Sequence, residues 1–339
     1  MKSWVIVLVL TALAASACSE SSTASNLKNA APVAEKTPDL ELQGQIAEIA
    51  KEANGKVGVY AVVIETGETI SLNADERFAM QSVVKVPIAM AVMKLVDEGK
   101  FKLDQKIQIA KGEMVPPNMR SPIRDETPNG GERTVRELIR LAISESDGTA
   151  ADVLQRVAGG ASGVQAHIDS LGVGEMRVKY SHKEFGEKWE KQYENWVTPK
   201  GAVALLNSLW TASGRNASVN ERATTSTDTD GRLSVGGASL LLKFMTESNN
   251  PGNRIVAGLP RGTVVAHKTG TGGTRDALTS ATNDVGIITL PNENQIVIAI
   301  FVGDSRADLA IREGVIAKIT KIIIDNWSKS NSVGPRDNR

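Results

Sequence analysis

The sequence predicts an α/β (α+β) fold in which an antiparallel five-stranded sheet is flanked by helices and carries an inserted all-helical lobe. Two observations carry that expectation. β-Branched runs bounded by turn residues occur early, at 57–64, and again in the last third, at 263–267, 284–290 and 295–303, whereas the middle third follows helical spacing. A sheet that draws its strands from both ends of the chain must close around whatever lies between them.

Taken in order, the chain opens with Lys2, an apolar run over 4–15 and small residues ending at Ala17, the layout of a secretory signal over 1–17. That run is too short to span a membrane. Cys18, the only cysteine, follows in the context Ala15-Ser16-Ala17-Cys18-Ser19, which excludes an internal disulfide. The placement resembles the lipobox of a lipoprotein, with Ala15 where leucine is usual; ordinary cleavage after Ala17 is the alternative. Residues 18–37 are polar, lack apolar periodicity and read as a lipoprotein-type tether. The folded body spans 38–328, with a sheet lobe at 38–75 and 233–328, a helical lobe at 76–232 and a disordered tail at 329–339.

Within the body, Leu42, Ile46 and Ile49 mark a helix over 41–53, and the run 57–64 enters a hairpin through Thr66-Gly67. A helix is expected over 82–98, closed by Gly99 and kinked at Pro87. Thr134 and Glu137 form a capping box for a helix over 135–143. Residues 174–197 are charged, aromatic and aperiodic, long enough for a functional loop. Thr198-Pro199 starts a helix over 201–210, and the polar stretch 213–232 reads as a surface insertion. Pro291-Asn292-Glu293-Asn294 turns between the last two strands, and Leu309, Ile316, Ile319, Ile323 and Trp327 mark a closing amphipathic helix.

The 339 residues include 39 basic and 39 acidic ones, so the formal charge is zero and nothing in it points to nucleic acid or an anionic membrane surface as a partner. A small neutral or weakly anionic ligand remains open. The histidines, His167, His182 and His267, are scattered, which disfavours a metal mechanism, and no cofactor is expected. His167 reads as a helix-surface residue.

A serine hydroxyl is a poor nucleophile at neutral pH and needs a base within reach. Ser82-Val83-Val84-Lys85 supplies one, because residues three apart on a helix share a face. Burial among Val83, Val86 and Ile88 lowers the pKa of such a lysine. The spacing alone is a poor guide, since Ser25-Asn26-Leu27-Lys28 repeats it inside the tether. Two later segments change the weighing: Ser146-Asp147-Gly148 in the helical block and Lys268-Thr269-Gly270 at the end of a strand. Hydroxyls and amines converging from three elements make a site for a carboxylate-bearing acyl compound.

This ordered set resembles the S-x-x-K, S-D-N and K-T-G signature of class A β-lactamases and penicillin-binding proteins, with Gly148 in place of the asparagine. Over roughly 38–328 the chain resembles a class A serine β-lactamase, with Gly258-Leu259-Pro260, His267-Lys268-Thr269-Gly270-Thr271 and Ala281-Thr282-Asn283-Asp284 as supporting stretches. Ser121-Pro122-Ile123 and Tyr193-Glu194-Asn195-Trp196 resemble the branch that includes the PER and VEB extended-spectrum enzymes. The resemblance implies the β-lactamase/D,D-peptidase-like fold, a monomer, and hydrolysis of penicillins or cephalosporins through an acyl-enzyme on Ser82. It further implies Lys85 as base or proton relay, Ser146 as proton donor to the ring nitrogen, and Lys268 holding Ser146. Thr269 and Thr271 would bind the substrate carboxylate, and the Ser82 and Thr271 N–H groups would form the oxyanion hole. Gly270 would let substrate lie against the strand. A penicillin-binding D,D-peptidase, or a slowly deacylating or noncatalytic β-lactam receptor, shares much of this pattern.

Three positions depart from the family. Gly148 stands where asparagine is usual, and Arg120 where the branch carries an aromatic residue at the cleft edge. Counting back from Tyr193-Glu194-Asn195-Trp196 puts His182 at the place of the deacylating glutamate, with Glu184 the nearest carboxylate. Glu184 is the assignment favoured for water activation; His182 as base, or slow deacylation, are the alternatives.

Overall fold

The computed structural model describes Met1 and residues 39–215, 231–249 and 252–330. The export segment, Cys18, the tether, most of the polar stretch 213–232 and the tail from 331 onward lie outside the described residues. Along the chain, α1 (Leu40–Lys51) is capped by Asp39, whose carboxylate accepts the Leu42 N–H at 3.0 Å. It leads into the hairpin β1 (Lys56–Val63) and β2 (Thr69–Leu72), and then into the short β3 (Phe78–Ala79).

The segment that carries Ser82 differs from expectation. Residues Gln81–Val84 form a 3₁₀ turn, and α2 (Lys85–Asp97) starts only after it. Proline has no N–H and its ring crowds the carbonyl four residues back, so a single helix through Ser82 would be broken at Pro87. Starting α2 at Lys85 puts Pro87 in the first turn, where no intrahelical N–H bond is required. Every residue of α2 from Lys85 to Met93 is buried, which makes it the central helix of the inserted lobe.

Around α2 the lobe continues with β4 (Lys106–Ala110), α3 (Pro122–Glu126), β5 (Gly130–Thr134), α4 (Val135–Ser144), α5 (Gly148–Val157) and α6 (Gly160–Ser170). The Thr134/Glu137 capping box is present at the head of α4. His167, expected on the surface of its helix, is instead buried in α6; burial and then the nearby Lys94 lower its pKa to about 4. The 174–197 loop is built from β6 (Met176–Arg177), α7 (His182–Phe185), a 3₁₀ turn (Trp189–Glu194) and β7 (Trp196–Val197). Pairing of β7 with β6 and with β3 closes its two ends. Next come α8 (Pro199–Ala212), capped by Thr198, and α9 (Val235–Thr246).

The chain then returns to the sheet through β8 (Val264–Thr271), β9 (Thr274–Arg275), β10 (Leu278–Thr289) and β11 (Gln295–Ser305), and ends in α10 (Leu309–Ser330). The sheet is antiparallel, in the order β2-β1-β11-β10-β8, and β9 adds a two-residue pairing to β10 beside these five principal strands. Strand β8 outlasts its apolar run: pairing continues to Thr271 opposite Thr282, so Lys268-Thr269-Gly270 lies within the strand.

Strand β11 shows how the layers are joined. Val297, Ala299 and Phe301 face the core shared with the inserted lobe, whereas Ile296, Ile298, Ile300 and Val302 face α1 and α10. The two-residue period of a strand thus serves two cores at once.

Candidate active site

Three distant segments meet at one edge of the sheet. A 3₁₀ turn has three residues per turn, so side chains at i and i+3 eclipse, and Lys85 Nζ lies 3.0 Å from Ser82 Oγ. Gln81, directly before Ser82, has φ +49°, and Ser146 has φ +57°; both non-glycine residues are held in the left-handed region, and such strain clusters at functional sites. Lys85 Nζ also donates to the Ser146 carbonyl at 2.7 Å and approaches its Oγ at 3.3 Å. From the other side Lys268 Nζ reaches the same Oγ at 3.0 Å. The Ser146 hydroxyl therefore stands between two amines from different elements.

Both lysines are buried. Desolvation lowers the Lys85 pKa to about 8, partly opposed by the carboxylates of Asp147 and Asp152. Lys268 is held well below the usual lysine range, first by burial and then by Lys85. The strained turn at Ser146 is anchored by Asp147, which is fully buried at the head of α5. Its carboxylate accepts the Ile123 N–H at 2.7 Å, the Ala150 N–H at 2.9 Å and the Ser121 hydroxyl at 2.9 Å. An aspartate directly before a helix is a capping signal visible in the sequence.

Ser82, Lys85, Ser146, Gly148, Thr269 and Thr271 line a cavity of about 490 Å³. Lys85, Arg120, Lys188 and Arg254 also face it, and no aspartate or glutamate does among the described residues. Residues 41–327 match the model of the Beta-lactamase enzyme family.

The chain belongs to that family.

It is 34% identical to the β-lactamase VEB-1 of Pseudomonas aeruginosa, over 84% of this chain and 89% of VEB-1. The extended-spectrum β-lactamase PER-1 of the same organism is 33% identical, over 83% and 85%. Among solved structures, a β-lactamase from Chitinophaga pinensis shares 39% identity at a TM-score of 0.77, covering 85% of this chain and 99% of that one. The TLA-1 extended-spectrum β-lactamase shares 34% at a TM-score of 0.78, covering 86% and 99%. The chain is thus a serine β-lactamase of the class A type, a β-lactam hydrolase.

Some residues of the cavity carry no signal in the sequence. Arg254, which lines the cavity from a buried position, donates to the carbonyls of Gly270 at 3.0 Å and Asn283 at 2.8 Å, to Thr271 Oγ1 at 2.8 Å and to Glu313 at 3.2 Å. Its partners lie 16 to 59 residues away in sequence, so no local pattern announces it. Gly270 also has a packing reason. A Cβ there would sit 2.6 Å from the Met80 carbonyl, so the missing side chain lets β8 approach the backbone before Ser82. Gly148 does line the cavity, but a Cβ on it would lie 3.2 Å from Val115 Cγ2.

The structure does not bring Glu184 to Ser82. Its carboxylate turns back to accept the Ser181 N–H at 2.8 Å in a capping box, it is exposed, and it faces a separate depression beside Gly112 and Lys183. The pattern Ser181-x-x-Glu184 is itself a capping signal. His182 takes the place inside: it is buried, lines the cavity with Ser82 and Lys85, and sets its Nδ1 3.1 Å from Asp152 Oδ1. The loop is held by Asn195, which donates to the Tyr180 carbonyl and accepts the Lys179 and Tyr180 N–H groups. Gln192, joined to Gln81 at 2.7 Å and to Ser280 at 2.6 Å, ties it to the Ser82 turn and the sheet.

Proposed function

We propose that the chain hydrolyses penicillins and cephalosporins through an acyl-enzyme on Ser82, with Lys85 accepting the hydroxyl proton. The observation that carries this reading is the shared Ser146 hydroxyl, 3.3 Å from Lys85 Nζ and 3.0 Å from Lys268 Nζ, beside Ser82. A proton taken from Ser82 passes along Lys85 to Ser146 and from there to the ring nitrogen as the amide bond opens. A pKa of about 8 leaves part of Lys85 neutral near pH 7, which a base requires. Lysine and arginine around a wall that, among the described residues, holds no carboxylate suit the carboxylate that β-lactams carry. Lys268 and Thr269 meet that group with Thr271, whose hydroxyl Arg254 orients. The Ser82 and Thr271 N–H groups receive the oxyanion.

The export segment 1–17, the tether 18–37 with lipid attachment at Cys18, the lobes of the body and a periplasmic, monomeric enzyme complete the proposal; the residue pattern at Ala15-Ser16-Ala17-Cys18 supports it. Mixing the soluble domain with excess chromogenic cephalosporin tests the reaction. Sustained colour with a transient adduct on Ser82 is expected; a single-equivalent burst without turnover would favour the penicillin-binding alternative, and no acylation would end the serine assignment.

A further inference from the structure

An acyl-enzyme on Ser82 is released only when water attacks the ester carbonyl, and at neutral pH that water needs a base. The cavity wall offers few. No carboxylate lines it among the described residues, and Lys85 is committed to Ser82 and Ser146. Lys268 is committed to Ser146 and the Thr269 carbonyl. His182 is different. Its Nε2 is buried and has no hydrogen-bond partner within the protein, and His182 lines the same cavity as Ser82. A buried polar atom left unpaired calls for an explanation, and an ordered water is the simplest one.

We propose that His182, oriented by Asp152, is the general base that activates the deacylating water in this β-lactamase. The inference rests on the acyl-enzyme reading of Ser82. Asp152 projects from α5 with its side chain largely buried, and Oδ1 accepts the His182 backbone N–H at 2.7 Å while Oδ2 accepts that of Lys183 at 2.9 Å. The carboxylate is thereby fixed, and the 3.1 Å approach of His182 Nδ1 makes that nitrogen the donor of the pair. The Nδ1–H tautomer leaves the lone pair on Nε2, as a base requires. The charges facing the ring come from several elements. Lys85 from α2 and Lys268 from β8 disfavour imidazolium, as does burial, whereas Asp152 favours it; Arg120, Lys188 and Arg254 line the same cavity. Burial is the leading influence, and the ring is kept below the usual histidine range, so it is neutral and able to accept a proton near pH 7.

The step balances without any further reagent. Nε2 takes one proton from water as the oxygen bonds to the acyl carbon, and Asp152 stabilises the imidazolium so formed. When the tetrahedral intermediate collapses, the bond from carbon to Ser82 Oγ breaks. The proton then reaches Oγ through Lys85, leaving opened product, free Ser82 and neutral His182. Asp152 acts here as a positioning residue.

The test is a pre-steady-state comparison of full-length wild type, His182→Gln and Asp152→Asn with benzylpenicillin, following adduct formation and loss by quenched-flow mass spectrometry. His182→Gln is expected to acylate within a few-fold of wild type but to lose the adduct about 10²- to 10⁴-fold more slowly, the usual range for a general base. Imidazole added to His182→Gly should restore turnover in proportion to its concentration, which a purely structural histidine would not allow. Asp152→Asn should slow deacylation alone and shift the acid limb of the kcat profile. Deacylation of His182→Gln at the wild-type rate would overturn the proposal. Should that variant not fold, unchanged deacylation and pH profile in Asp152→Asn would overturn it equally. Wild type that never forms an adduct would instead refute the reading on Ser82.

Discussion

The two walls of the cavity are built differently. On one side Lys85 and Ser146, backed by the buried Lys268, come from the start of a buried helix, a strained turn anchored by Asp147, and a strand of the main sheet, and the amines lie 3.0 to 3.3 Å from the serine hydroxyls. On the other side His182 sits on a four-residue helix inside a loop that depends on Asp152, Asn195 and Gln192 for its placement. The first wall is made by regular elements whose register is set by the whole fold. The second is set by a few side-chain hydrogen bonds, so a small change of residue type can redraw its chemistry while the architecture stays.

Variants can break or sharpen that contrast. Ser82→Ala has the largest expected effect: no covalent adduct and no detectable turnover, checked by intact-protein mass spectrometry with a chromogenic cephalosporin. Lys85→Met should retain the fold and slow acylation by about 10²- to 10⁴-fold, since it removes the base while keeping an apolar stem of similar length. A pH series sharpens the same point. The reactive form of Lys85 is the neutral amine, which accumulates above its pKa, so the acylation rate should rise with pH through a midpoint near 8 and fall below it. An acylation rate independent of pH between 6 and 9 would remove Lys85 as the base.

Smaller effects probe the edges of the walls. Gly148→Asn restores an amide that could bond an acylamino side chain, a gain of about 0.5 to 1.5 kcal/mol in kcat/KM. The new Cβ, however, meets Val115 at 3.2 Å. The single variant should therefore gain little, and Gly148→Asn combined with Val115→Ala should gain several-fold on benzylpenicillin. A single variant that equals the double would show that Val115 gives way freely. Glu184→Gln should turn over substrate at the wild-type rate, with a stability loss of at most about 1 kcal/mol from the weakened cap, read from chemical denaturation. A large loss of turnover there would return Glu184 to the site.

Much of this architecture was legible in the residues. The sheet announced itself through β-branched runs, the α4 start through Thr134 and Glu137, and the first wall through its three spaced motifs. What stayed hidden has physical reasons. Strand β8 continues through Lys268, Thr269 and Gly270 because its backbone pairs with β10, which hydropathy does not register. The 3₁₀ turn before Lys85 follows from Pro87, but whether a proline kinks a helix or delays its start depends on the packing around it. His167 is buried because its helix packs on others, and Arg254 acts through distant partners. Proximity along the chain favours Glu184, although the same four residues spell a cap that turns it outward.

The most direct test is rapid quenching of the wild-type protein with benzylpenicillin, followed by peptide mapping of the covalent adduct. This account predicts a penicilloyl ester on Ser82 that forms and then disappears while product accumulates. Product release without any ester, or an ester on another residue, would contradict it.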